Sequence, residues 1–297
     1  MDKIQIWDSH VHLFPPEIYQ NWDKYAAMDE TFANLTRKPA NGKGTEEAWV
    51  NLEEALACAD EAGVWGLAMQ GWYWNDPGLM RLHNDYMADA LKKYPNRLKG
   101  FIAVNPKFGE EALAEIERCA KLGFSGVGEL GPGGNGYDFE DPDFLEVLHC
   151  AKGLDLPVCI HCGEPVGHQY AGKDMTPLAP LAELIRKEQD AKLILAHMGG
   201  GLPFYEMNPR YRHAFGNVRY DFATNPLLYD IRSIRAVITM IGPDRLFYGS
   251  DFPLLLYPGK CREANLSLFI EDIRENAGLT EEEWGKVMGE NFSRFVK

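Results

Sequence analysis

Short apolar runs recur along the chain, each closed by a turn and followed by a stretch whose hydrophobic residues return every three to four positions. The runs are IQIWDSH (4–10), VWGLAMQ (64–70), LKGFIAV (98–104), SGVGEL (125–130), LPVCIH (156–161), AKLILAH (191–197), VRYDFA (218–223) and RLFYGS (245–250). Their length and their β-branched and aromatic content predict eight strands. The intervening periodicity predicts helices over 45–63, 77–94, 110–123, 142–154, 177–189 and 227–242, a weaker helical piece near 203–214, and a closing pair at 263–277 and 280–291. Thr45 followed by acidic residues suits a helix N-terminus, and Gly63 suits its stop.

Near-continuous apolar strands alternating with helices imply parallel strands joined by crossovers. Eight such units in 297 residues predict a closed (β/α)8 TIM barrel, read as a single domain over 1–297. An open doubly wound sheet is the alternative. It would need a glycine-rich phosphate fingerprint after its first strand, and GPGGNG at 131–136 neither matches that fingerprint nor follows the first strand.

Composition narrows the function. Asp and Glu number 44 against 30 Lys and Arg, and the resulting charge of −14 repels phosphate backbones and anionic membranes. No nucleic acid or membrane partner is expected, and no apolar run approaches a membrane span. The N-terminus lacks a signal peptide's apolar core. The six cysteines, at 58, 119, 150, 159, 162 and 261, are scattered as reduced thiols would be in a cytoplasmic protein. CIHC at 159–162 could hold zinc, but a strand sends its two cysteines to opposite faces, so they read as small core residues.

Candidate chemistry gathers at the strand ends. WDSHVHLF at 7–14 places His10 and His12 on one face of the first strand, with Asp8 beside them. That pair alone fits a metal grip or the wet face of an ordinary strand. The fourth strand ends in Glu129, the fifth in His161, the sixth in His197 and the eighth in Asp251. In a barrel of this kind the C-terminal strand ends form one mouth. Imidazoles and carboxylates converging there suit a borderline divalent cation. Taken singly, Glu129 could be a salt bridge, His161 a satisfied buried histidine and Asp251 a helix cap. Asp8, inward and below the others, reads as a support for the ligands or a hydrogen-bonder in the strand layer.

The ordered motifs DSHVH (8–12), FIAVNP (101–106), LPVCIHCGE (156–164), LAHMGG (195–200), YGSDFP (248–253) and GENFSRFV (289–296) resemble the amidohydrolase superfamily across essentially the whole chain. The likeness is to the branch of metal-dependent hydrolases and related decarboxylases called amidohydrolase family 2. It implies that His10, His12, His161 and Asp251 bind a divalent metal, and that His197 binds a second ion or polarises the substrate. The superfamily often bridges two metals with a carboxylated lysine on the fourth strand. Here that place holds Glu129, which resembles the bridging glutamate of TatD-type nucleases.

From the resemblance the expected activity is a hydrolase using metal-activated water on an amide, ester or lactone bond of a small molecule. Asp251 would move the proton and His197 would stabilise the oxyanion. Zinc is the expected metal, as one or two ions, with manganese as the alternative. A non-oxidative decarboxylase of an unsaturated or aromatic carboxylate is the second reading. It is disfavoured because an extra carboxylate at Glu129 should repel an anionic substrate. A non-catalytic metal-binding barrel is the third.

Substrate contacts are expected from the loops. GWYWNDPG at 71–78 brings Trp72 and Trp74, GEPVGHQYAG at 163–172 brings His168, and NPRYRHAFG at 208–216 brings Arg210 as a carboxylate clamp. Asn84 and Asp85, in the second crossover helix and away from the mouth, read as helix surface or interface. The aromatic content of 12% and the WYW run are compatible with a homodimer.

Overall fold

The protein is described by a computed structural model covering residues 4–36, 48–167, 169–211 and 213–296. Eight strands follow the predicted order: β1 (Ile6–Val11), β2 (Val64–Met69), β3 (Leu98–Ile102), β4 (Gly126–Leu130), β5 (Val158–Ile160), β6 (Leu193–Leu195), β7 (Val218–Asp221) and β8 (Leu246–Phe247). Each pairs in parallel with the next. A bridge from Val11 to Phe252 closes the ring from β8 back to β1, so the TIM barrel read from the alternating pattern is the fold.

Side chains pointing into the barrel form a compact layer of Trp7, Ala68, Phe101, Cys159, Ile194 and Phe247, plugged from below by Phe292 and Val296. Gly66 makes room for the largest of them, because a Cβ there would lie 2.4 Å from the Trp7 ring. Outward-facing strand residues pack against the helices in a second, larger cluster. The strands are buried on both faces, which is why they read as continuous apolar runs rather than alternating ones.

Two boundaries differ from the sequence reading. The first long helix spans Leu52–Glu61 and starts at a capping box, in which the Asn51 side chain accepts from Glu54 N–H and the Glu54 side chain accepts from Asn51 N–H. Thr45, the expected start, lies outside the described residues. The stretch after β6 is an irregular run, His197–Met207, opening with left-handed backbone from His197 through Gly201 rather than a regular helix. No described helix is long and apolar enough to cross a membrane.

Asn84 also departs from expectation. It is fully buried, not on a helix surface. Its side chain brackets the end of β3, accepting from Ala103 N–H at 2.8 Å and donating to Ala103 O and Glu115 Oε1 at 2.9 Å each. Helix periodicity marks which face is inward, but not that a polar residue on that face will find strand backbone to bond. Asn84→Ala orphans the buried N–H and carbonyl of Ala103, while Glu115 Oε1 keeps Arg118, and unfolding in urea should show a loss of about 2–4 kcal/mol. A loss under about 0.5 kcal/mol, as at an ordinary surface site, would refute the bracket. Asp85 does face outward and pairs with Arg118 at 2.8 Å.

Candidate active site

The closed barrel brings His10, His12, Glu129, His161, His197 and Asp251 to one mouth. The Nε2 atoms of His10 and His12 face each other at 3.2 Å. Asp251 Oδ1 stands 3.7 Å from the first and 3.3 Å from the second. Glu129 lies at the centre. Its Oε2 is 3.6 and 3.5 Å from the nitrogens of His10 and His12, while its Oε1 is 3.0 Å from His161 Nδ1 and 3.4 Å from His197 Nε2.

Local structure aims each group. His10 Nδ1–H donates to Asp221 Oδ2 at 3.0 Å, so that when the ring is neutral its Nε2 lone pair points into the mouth. His197 Nδ1–H donates to the Ala223 carbonyl at 3.1 Å, so its Nε2 faces Glu129 and the cavity. The Thr224 hydroxyl donates to Asp251 Oδ2 at 2.6 Å, turning Oδ1 toward the two β1 histidines. Asp8 is fully buried, and its Oδ1 accepts from the backbone N–H of His10 and Ser250. Burial pushes its carboxyl up to about 7 against those hydrogen bonds. It is a hydrogen-bonder in the strand layer, one of the two roles read for it.

The charges balance one another. Burial would raise the Glu129 carboxyl, but His10, His161 and the hydrogen bonds around it hold it well below the usual range. Burial would lower His10, but the Asp221 and Glu129 carboxylates hold it well above. His197 follows the same logic: burial pulls it down, and Glu129 and Asp251 push it up to about 9. Asp251 stays low because His10, His12 and His197 outweigh its burial and the repulsion from Glu129.

Two imidazole nitrogens 3.2 Å apart, with carboxylate oxygens around them, need a proton or a cation between them. The ligand atoms of His10, His12 and Asp251 lie within 4.8 Å of one another, as do those of His10, Glu129 and His197. This donor set fits a divalent metal, with imidazole and carboxylate the ligands zinc and manganese accept. His10, Cys159 and Asp221 also cluster, but there burial pushes the Cys159 thiol up to about 12, leaving it a neutral neighbour of the His10 ring.

Above the mouth lies a cavity of about 320 Å³ walled by Leu35, Trp72, Tyr73, Leu227 and Leu254, with His161, His197 and Asp251 at its floor. Trp72 lines it as expected. Trp74 does not: it is fully buried and its indole N–H donates to His83 Nδ1 at 3.1 Å. His83 in turn donates to the Leu13 carbonyl, and burial holds its ring neutral by lowering it to about 3. A three-aromatic loop cannot present every ring to one cavity, because successive side chains diverge. Arg210 is exposed and off the cavity wall. His168 lies outside the described residues. Glu164, Asp221 and Thr224 were not singled out from the sequence. Asp221 and Thr224 sit at the end of β7, and asking what every strand terminus carries, rather than which termini carry ligands, would have found them.

A family model described as amidohydrolase matches residues 7–296. A relative in Dictyostelium discoideum, 2-amino-3-carboxymuconate-6-semialdehyde decarboxylase, is 25% identical over 242 residues. That match covers 69% of this chain and just under two thirds (66%) of that protein. Among solved structures, 5-carboxyvanillate decarboxylase from Sphingomonas paucimobilis superposes with a TM-score of 0.74 at 19% identity, covering 99% of both chains. A dihydroxybenzoic acid decarboxylase from Polaromonas sp., with bound manganese and an inhibitor, superposes at 0.66 and 19% identity, covering 99% of this chain and 97% of that one.

These findings correct the hydrolytic reading, since the relatives and neighbours named above are decarboxylases. The argument against decarboxylation treated Glu129 as a bare negative charge facing the substrate. In the folded chain four imidazoles surround it, so its carboxylate is turned toward ring nitrogens rather than bared to the substrate. The matched family model spans the chain from strand β1 to the closing helix, and the protein belongs to the amidohydrolase family.

Proposed function

We propose that the protein is a metal-dependent non-oxidative decarboxylase of a small carboxylate borne on a flat unsaturated or aromatic ring. The observation that carries this reading is the place of His197, an imidazole on the cavity floor whose Nε2 stands 3.4 Å from Glu129 Oε1, a carboxylate that favours its protonated form. Decarboxylation replaces a C–CO₂⁻ bond with a C–H bond, so it consumes one proton and needs a donor beside the scissile carbon.

His10, His12 and Asp251 would hold the divalent ion, with Glu129 Oε2 alongside. When bound, the ion supplies positive charge that seats the substrate carboxylate and offsets the charge gathering on the ring as carbon dioxide leaves. His197 holds the proton at Nε2 and hands it to the vacated carbon, while Ala223 keeps its other nitrogen engaged. Thr224 fixes Asp251 so that it acts as a ligand rather than as an acid. Trp72 and Tyr73 stack on each other at 4.8 Å and offer an aromatic wall for a single ring, with the leucines opposite excluding water. Manganese, present in the Polaromonas structure, is the first metal to assay, with zinc second.

The test is a panel of single-ring carboxylates incubated in heavy water with manganese-loaded protein. Metal-dependent carbon dioxide release, with deuterium at the vacated ring carbon, is the expected result. Ester or amide cleavage without carbon dioxide release would overturn the reading.

A further inference from the structure

We infer that Asp221, which is no ligand itself, is the positioning residue that makes His10 able to bind metal. The inference rests on the metal site proposed above. Asp221 is fully buried at the end of β7 and both of its oxygens are committed. Oδ1 accepts from the backbone N–H of His197 and of Ala223, each at 3.0 Å. Oδ2 accepts from His10 Nδ1–H at 3.0 Å. One carboxylate therefore ties the β1 histidine to the left-handed turn that lifts His197 off β6.

The contact spans β8, which lies between β7 and β1, and the chain clears a path for it. Gly249 sits just past the end of β8, where a Cβ would lie 2.9 Å from His10 Cβ and 3.4 Å from Asp221 Cβ. Any larger residue there would push the pair apart.

The chemistry follows from the tautomer. With Asp221 accepting at Nδ1, the neutral His10 ring must carry its proton there and present an unprotonated Nε2 to the mouth. Asparagine at 221 keeps the shape but not the logic. Its oxygen would stay with the two backbone N–H donors, so its amide nitrogen would face His10 Nδ1 as a donor. His10 would then carry its proton on Nε2, the atom that must bind the ion.

Asp221→Asn should bind manganese and zinc about 10–100-fold more weakly than wild type in chelator competition, as loss of a ligand's hydrogen-bond partner does elsewhere. The visible spectrum of the cobalt-substituted variant should change in parallel. Gly249→Ala, which leaves the carboxylate in place but strains the contact, should weaken binding in the same direction. Asp221→Asn affinity within about twofold of wild type, with an unchanged cobalt spectrum, would overturn the inference. A wild-type chain that binds neither ion sinks the metal site itself, which is a different failure. Should Asp221→Asn not fold, the zinc-loaded wild type still decides. Nitrogen-15 NMR should place a hydrogen-bonded proton on His10 Nδ1, and a proton on Nε2 instead would refute the assignment.

Discussion

Replacing His12 with alanine should abolish turnover while leaving the barrel standing. His12 Nε2 faces the His10 nitrogen at 3.2 Å, Asp251 at 3.3 Å and Glu129 at 3.5 Å, so it belongs to the densest part of the proposed ligand set. Its other nitrogen finds no hydrogen-bond partner among the described residues. Removing the ring therefore orphans nothing on that side, and the packing lost is an edge contact with Trp72. A metal ion contributes several kcal/mol of charge stabilisation, so its loss should cost on the order of 10³-fold or more in rate. Elemental analysis of the purified variant should find the metal largely gone, and its thermal unfolding after chelation should match that of chelated wild type. A variant that keeps its metal and more than about a tenth of wild-type activity would remove His12 from the site.

Several residues explain how far the sequence could be read. His10, His12, His161 and His197 were legible because each stands at a strand terminus, and strand termini in a closed barrel share one mouth whatever the packing details. The eight strands were legible for a related reason: burial on both faces leaves uninterrupted apolar runs, even where, as in β8, the hydrogen-bonded strand is only Leu246–Phe247. Asp221 was not, since nothing local to VRYD says that its carboxylate will reach past β8 to β1. Asn84 and Trp74 failed similarly, because their partners, the Ala103 backbone and the His83 ring, are met only when neighbouring elements dock. The reaction class was the least legible. One ligand set serves water activation and decarboxylation alike, and what sets them apart is that decarboxylation ends by delivering a proton to carbon, the task proposed for His197. That depends on Glu129 standing 3.4 Å away across the barrel, a tertiary distance.

Glu129→Gln tests that division. Glutamine keeps the size of the side chain and removes the charge that raises His197. For a base whose proton is held above the ordinary histidine value of 6.5, the acid form persists below the raised value and is lost as pH rises through it. A reaction that draws its proton from His197 should thus run on a plateau through neutrality and fall off near pH 9 in wild type. In Glu129→Gln the alkaline fall should move down toward or below 6.5. At pH 8 the protonated fraction, and with it the rate, should drop by about thirtyfold from this cause alone. Glu129→Asp, which retains the charge, should keep more of the wild-type profile. Metal content separates this role from the bridge that the fourth-strand position first suggested. A divalent ion, the Asp251 and Glu129 carboxylates, the substrate carboxylate and the His197 imidazolium sum to no net charge, so one ion suffices. The variant should therefore retain about the metal equivalents of wild type. A fall from two equivalents to one, or an alkaline limb that does not move, would show that Glu129 bridges ions rather than holding the proton on His197.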